Sequence, residues 1–205
     1  TATAVALLNA AIGAGVEHVV LSPGSRSQAI AFAAAAAERQ GQIQLHVRVD
    51  ERGAGFFALG IARETGVPAL VVVTSGTAVA NLFPAVLEAS HARVPLLLVT
   101  ADRPEELHGI RANQTTTQRG IFGDVLRYSC ELGPDDTEPV TERVTAAIAA
   151  ARGAVPGGAG PVQINAAFRD PLASALPEPV PFVAPSGAPD IQRHSARPAI
   201  VLDRG

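Results

Sequence analysis

A chain of 205 residues, 47% hydrophobic and 17% charged, is long enough for one sizeable core and too apolar to be disordered. Its net charge of −3 speaks against a nucleic-acid partner, and no apolar run reaches the ~18 residues of a membrane span. The single Cys130 excludes an internal disulfide and fits a reducing, cytoplasmic setting, and the opening residues do not read as a secretory signal.

The order of the predicted elements is alternating. Residues 16–21, "VEHVVL", form a short apolar strand, and 27–39 an alanine-rich helix. "IQLHVRV" (43–49) is a second strand, followed by a helix from about Arg52 to Thr65. "PALVVVTS" (68–75) is a fully apolar third strand with a helix over 78–90 behind it, and "VPLLLVTA" (94–101) is the fourth. A fifth strand falls in "VLRYSCEL", a helix in "EPVTERVTAAIAAARG", and a sixth strand in "GPVQINA". Glu138 and Glu142 in the first turns of that helix and Arg152 in its last suit the macrodipole. Continuous apolar strands of this length suit a sheet covered on both faces. The expected fold is therefore α/β: a doubly wound, mainly parallel six-stranded sheet with helices on both faces.

After Ala166 the composition changes, and seven of the 16 prolines fall within 167–205. The expected organisation is one domain over 1–166, a proline-rich linker over 167–197, and the start of a second domain at 198–205. The chain has no methionine even at position 1, so it is expected to be processed or trimmed, and the N-terminal part of something longer.

In open α/β sheets, ligands sit beyond the carboxyl ends of the strands. The first strand runs into "SPGSRSQ", which places Ser25, Arg26 and Ser27 at a helix start. Free N–H groups beside a guanidinium make a pocket for a carboxylate or phosphate, and the same loop reads equally well as a capped helix with a solvated arginine. The third strand gives "TSGTAVAN", where Gly76 allows close backbone approach and Thr77 can cap the helix. It lacks the lysine of a phosphate-cradling P-loop, and capping explains it without a ligand. The fourth strand opens into about twenty mostly polar residues carrying Arg103, His108, Arg111, Asn113, Gln114, Gln118 and Arg119. With Arg26 these suit a small substrate bearing more than one carboxylate. All 16 basic residues are arginine, a bias that GC-rich coding explains better than function does, although arginine's planar fork suits carboxylates. His46 and His91 have no partners at metal-ligand spacing, and Cys130 reads as a small buried residue.

Glu51 opens the helix after the second strand, immediately ahead of "GAGFFALG". A carboxylate there interacts favourably with the helix macrodipole without any further role. The small and aromatic residues that follow predict instead a partly dry cleft, in which the carboxyl group holds its proton more tightly and can share it with a ring nitrogen.

These residues together resemble a known family. "VDERGAGFFALGIARETGVPALVVVTSGTAVANLFPAVLEA" and "VPLLLVTADRPEEL" resemble the pyrimidine-binding domain of thiamine-diphosphate enzymes, which place a glutamate after the second strand and a Ser-Gly turn, then a helix containing Asn, after the third. Five motifs, "SPGSR", "HVRVDERGAGFFALG", "TSGTAVANL", "TADRP" and "ANQTTTQRGIFG", occur in order across 22–123. They resemble one branch, the decarboxylating 2-succinyl-5-enolpyruvyl-6-hydroxy-3-cyclohexene-1-carboxylate synthases of menaquinone biosynthesis. The broader family usually has "GPGATN" where this chain has "GTAVAN", and that departure is the one the branch shows.

The resemblance implies a function. Glu51 matches the glutamate that hydrogen-bonds N1′ of the aminopyrimidine and promotes the imino tautomer that deprotonates thiazolium C2. The cofactor then takes up 2-oxoglutarate, carbon dioxide leaves, and the succinyl carbanion equivalent adds to isochorismate in a conjugate 1,4 fashion. By matching motifs, Ser25, Arg26, Arg103, Asn113 and Gln114 contact substrate. Ser75, Gly76, Thr77 and Asn81 lie near the cofactor's pyrimidine end. Thiamine diphosphate and Mg²⁺ (or manganese) are held in this family by a domain with a Gly-Asp-Gly motif, which this sequence lacks. The resemblance also implies a homodimer or tetramer, with the cofactor between subunits, and a fragment that is inactive alone. Two other functions stay open: a different 2-oxoacid carboligase of the acetohydroxyacid-synthase kind, and a non-catalytic α/β dimerisation module. A nucleotide-binding Rossmann domain is disfavoured, because no G-x-G-x-x-G follows the first strand.

Overall fold

The computed structural model describes residues 2–134 and 139–172. Glu138, most of the expected linker and the expected second-domain strand lie outside the described residues.

Six strands form a single parallel sheet: β1 (His18–Leu21), β2 (Gln44–Val47), β3 (Ala69–Val73), β4 (Leu96–Asp102), β5 (Tyr128–Leu132) and β6 (Pro161–Ala167), in the order β2-β1-β3-β4-β6-β5. Every neighbouring pair is parallel, so the sheet is wholly rather than mainly so. Helices α1 (Ala2–Gly13), α2 (Gln28–Arg39) and α6 (Val140–Ala151) cover one face. Helices α3 (Glu51–Thr65), α4 (Thr77–Asn81) and α5 (Phe83–Ala92) cover the other.

This arrangement explains why the central strands are apolar throughout. In β3, Leu70 and Val72 face the α1–α2–α6 layer, whereas Ala69, Val71 and Val73 face the α3–α5 layer. Successive side chains point to opposite faces, so a strand covered twice has no solvent face on which to place polar residues. Every residue of β3 and β4 is buried.

Two features differ from the sequence reading. Helix α1, unassigned there, is apolar nearly all round because it packs against both α2 and α6, so it has no polar stripe to reveal a helical period. The expected helix over 78–90 is two helices, α4 and α5, meeting at Leu82. Pro84 in the first turn of α5 cannot donate a backbone hydrogen bond to the preceding turn, and the restart at Phe83 makes that N–H unnecessary.

Cys130 is half-buried in β5, and burial pushes its thiol up to about 11. His46 lies on edge strand β2 beside His18 of β1, with Nε2 3.2 Å from His18 Nδ1 and its ring against Phe57. Burial first, and then the His18 and Arg48 charges, lower the His46 pKa.

Two predictions follow from this packing. A Cβ on Gly24 would lie 2.3 Å from Thr74 Cβ, so Gly24→Ala forces the β1 and β3 loops apart. We expect it to lower unfolding stability by about 1–3 kcal/mol in a urea titration. Because His46 binds its proton more weakly folded than unfolded, its contribution to stability is present above pH ~6.5 and is lost as pH falls below it. His46→Gln should therefore flatten the decline of the melting temperature measured from pH 7 to pH 5.

Candidate functional site

From β1 the chain first goes to β2 on one side and then returns to β3 on the other. That reversal opens a crevice above the carboxyl ends of β1 and β3, the position at which such sheets bind ligands. All of the sequence-predicted site residues lie at this end: Ser25 and Arg26 after β1, Glu51 after β2, Ser75 to Asn81 after β3, and Arg103, Asn113 and Gln114 after β4.

Glu51 is the first residue of α3, and it is not the cap. Asp50 takes that position, its Oδ2 accepting the Gly53 N–H, which leaves the Glu51 side chain available. Glu51 Oε2 accepts a hydrogen bond from Asn81 Nδ2 at 3.2 Å, across from the end of α4. Among the described residues this is its one hydrogen-bond partner, so Oε1 can accept another. Among the described residues no dry cleft encloses it. Ala54 and Gly55 turn inward to let α3 approach Leu82 and Ala85, and Glu51 lies half-buried at a rim with exposed Val49, Arg52 and Gly53.

The turn after β3 is held from one side by the long loop after β4. Gly76 adopts φ +83°, and a Cβ there would sit 3.0 Å from Gln114 Cγ and 3.1 Å from its carbonyl oxygen. Ser75 Oγ donates to that carbonyl at 3.0 Å and accepts from Arg103 Nη1, which also donates to the Gln114 carbonyl at 2.7 Å. Gln114 Nε2 donates to the Ser75 carbonyl at 3.2 Å. Ser75, Gly76, Arg103 and Gln114 thus form one hydrogen-bonded unit. Thr77 makes no capping hydrogen bond, because Gly76 occupies the N-cap position; Thr77 and Asn113 are exposed.

Arg26 differs from the expected open anion pocket. It is 8% exposed, and Nη1 donates to the Phe168 carbonyl at 2.8 Å and lies 3.5 Å from Asp170 Oδ2. Its Nε is buried with no hydrogen-bond partner among the described residues. Ser27 Oγ turns back to the Gly24 carbonyl and does not cap α2, while Ser25 is exposed. Burial, and then the charge of Arg26, lower the Arg103 pKa. The Asp102 and Asp170 charges act in the opposite sense on Arg103.

The remaining polar residues of the long loop have separate surroundings. His108 Nε2 lies 3.0 Å from the Arg103 carbonyl, Arg119 pairs loosely with Glu131, and Arg111 is exposed. Gln118 is buried, and its Oε1 accepts the Gly76 N–H at 2.9 Å. The sequence reading missed the cluster beneath it, Thr100, Asp102, Gln163 and Asn165. Its signal is polar residues inside strands that are otherwise apolar. A cavity of about 280 Å³ opens here, bordered by Asp102, Arg103, His108, Gln118, Glu131 and Asn165. A larger one of about 570 Å³, bordered by Arg63, Arg93 and Arg152, lies at the opposite end of the sheet and contains none of the predicted residues.

Comparison with known proteins agrees with this geometry. Residues 2–124 match the family described as thiamine pyrophosphate enzyme, N-terminal TPP binding domain. A 2-succinyl-5-enolpyruvyl-6-hydroxy-3-cyclohexene-1-carboxylate synthase from Leifsonia xyli subsp. xyli is 50% identical over 208 residues, covering 96% of this chain and 35% of that protein. The synthase of the same name from Paenarthrobacter aurescens is 51% identical over 180 residues, covering 88% and 32%, and that from Mycobacterium tuberculosis F11 is 46% identical over 204, covering 94% and 36%. The chain spans about a third of the length of these relatives. Sheet order, the glutamate at the lip of α3 and the match over residues 2–124 agree: the chain belongs to the thiamine pyrophosphate enzyme family, as its N-terminal TPP-binding domain.

Proposed function

We propose that this chain is the pyrimidine-binding part of a thiamine-diphosphate- and Mg²⁺-dependent synthase. That enzyme decarboxylates 2-oxoglutarate and adds the resulting four-carbon unit to isochorismate by conjugate addition. The names of the relatives at about 50% identity support the reaction. The observation that carries the reading is the Glu51–Asn81 hydrogen bond at the lip of α3. It fixes one carboxylate oxygen and leaves Oε1 facing the rim, able to share a proton with the ring nitrogen of an aminopyrimidine. The Ser75–Gly76 turn lies at the same end of the sheet, its backbone held close against Gln114.

When bound, thiamine diphosphate supplies a nucleophilic carbon and an electron sink for the departing carboxylate. The residues of this chain do the rest of the work assigned to it. Glu51 Oε1 holds the proton at the ring nitrogen, and Asn81 holds Glu51 in place. Ser75 and Gly76 form the floor under the pyrimidine end, with Thr77 beside them. Arg26 and Arg103 draw in the substrate carboxylates, with Ser25, Asn113 and Gln114 offering donors and acceptors to the substrate at the crevice mouth. The diphosphate and Mg²⁺ are assigned to the two thirds of the relatives' length that this chain does not span, in a homo-oligomer whose subunits share each site.

The test uses the protein at its natural full length. Isochorismate consumption with thiamine diphosphate, Mg²⁺ and 2-oxoglutarate is expected, and Glu51→Gln should lower it at least ~10²-fold, the usual size of a lost acid–base group. Turnover of pyruvate in place of 2-oxoglutarate would discard the substrate assignment, and an unchanged Glu51→Gln rate would discard the catalytic one. The 205-residue chain alone is expected not to turn over.

A further inference from the structure

Beneath the Ser75–Gly76 turn lies a run of buried polar side chains: Gln118 is 1% exposed, Gln163 1%, Asp102 3% and Asn165 3%. Buried amides need partners on both of their ends, and the partners here determine which way each amide points. Asn165 Nδ2 donates to Asp102 Oδ2 at 2.8 Å and to Glu131 Oε2 at 2.7 Å. Carboxylates accept, so the amide nitrogen of Asn165 must face them and its oxygen must face away. That oxygen accepts from Thr100 Oγ1 at 2.7 Å and from Gln118 Nε2 at 2.8 Å. Gln118 Nε2 also donates to the Ala101 carbonyl at 3.2 Å. With its nitrogen committed twice, Gln118 must turn Oε1 outward, where it meets the Gly76 N–H at 2.9 Å. Reversing either amide would set like groups against each other along the whole chain. The direction imposed by two carboxylates at the ends of β4 and β5 is therefore carried through Asn165 and Gln118 to one backbone N–H.

That N–H belongs to the least self-supporting residue of the site. Gly76 has φ +83° and ψ −140°, and it caps a helix of only five residues without a side-chain cap. Gln114 borders it on one side and Gln118 bonds it on another.

We propose that Gln118, aimed by Asn165, is a positioning residue that holds the Ser75–Gly76 turn at the height the cofactor's pyrimidine end requires. The inference rests on the cofactor assignment made above and extends it to residues that touch neither cofactor nor substrate. Gln163 is the natural control. It is equally buried and belongs to the same cluster, donating to Thr100 Oγ1 at 3.0 Å and to the Gln118 backbone carbonyl at 3.5 Å, but among the described residues it has no bond to the turn or to the Gln118 side chain.

The experiment compares wild type, Gln118→Met and Gln163→Met at full length, by hydrogen exchange of the amides of residues 74–80 and by calorimetric titration with thiamine diphosphate and Mg²⁺. Gln118→Met should speed Gly76 exchange and weaken cofactor binding by about tenfold each, the size of one lost hydrogen bond. Its KM for 2-oxoglutarate should move less than about threefold, and Gln163→Met should lower only the melting temperature. Equal exchange and equal cofactor affinity in the two variants would overturn the proposal. If Gln118→Met does not fold, Asn165→Ser, which leaves Gln118 in place and removes the group that aims it, is expected to give the same pair of changes. A wild-type Gly76 amide that exchanges as fast as that of exposed Gly109 overturns the proposal with no variant at all. If wild type takes up no thiamine diphosphate, the cofactor assignment fails, and the exchange data still decide whether Gln118 holds the turn.

Discussion

The structure depends on burying one parallel sheet on both faces. Once α1, α2 and α6 cover one side and α3, α4 and α5 the other, β3 and β4 have no exposed position along their length. Polar chemistry is thereby confined to the strand ends and to the loops beyond them. The order β2-β1-β3 then decides which ends matter, because the chain departs from β1 in both directions and the two sets of loops part there. Glu51, the Ser75–Gly76 turn and Arg26 come together because the sheet leaves them no other location.

Polar side chains do enter the covered strands at one place, the carboxyl ends of β4 and β6. Thr100, Asp102, Gln163 and Asn165 are buried there, and an unpaired amide in such surroundings costs about 1–3 kcal/mol. They are tolerated because each finds partners in the others and in Gln118. The long loop after β4 is thus tied down from beneath by Gln118 and from above by Gln114 on the Ser75 turn. A loop of that length has little fold of its own beyond two short 3₁₀ turns, and these two glutamines give it one conformation.

Much of this was legible in the sequence, and the reasons for the gaps are physical. Strands β3 and β4 were visible because double burial leaves continuous apolar runs, and the helix expected from about Arg52 to Thr65 is α3, which Gly66 ends in the left-handed conformation. Helix α1 was hidden by the same effect, since a helix buried between two others loses the polar stripe that marks its period. The motif order located the loops but not their long-range partners. Arg26 reads as a free cation from "SPGSR", whereas its nearest groups, Phe168 and Asp170, lie more than 140 positions away. Thr77 and Ser27 read as caps from their residue type, but local geometry assigns both cap positions without their hydroxyls.

Glu51 sits at an open rim, as one half of a larger site would leave it. Glu51 borders neither of the two cavities described above, and Val49, two residues before it, is 88% exposed. A carboxyl group that shares a proton with a ring nitrogen needs water kept away, and among the described residues Glu51 is only half-buried. The exposed large apolar side chains at this end of α3, Val49 and Phe56, are of the kind that a second surface would cover. On the assignment proposed for the full-length enzyme, that surface brings the diphosphate and Mg²⁺ with it, so burial of the rim and arrival of the cofactor are one event. The chain then contributes a preset carboxylate and a preset turn, and the dry environment in which they act comes from outside it.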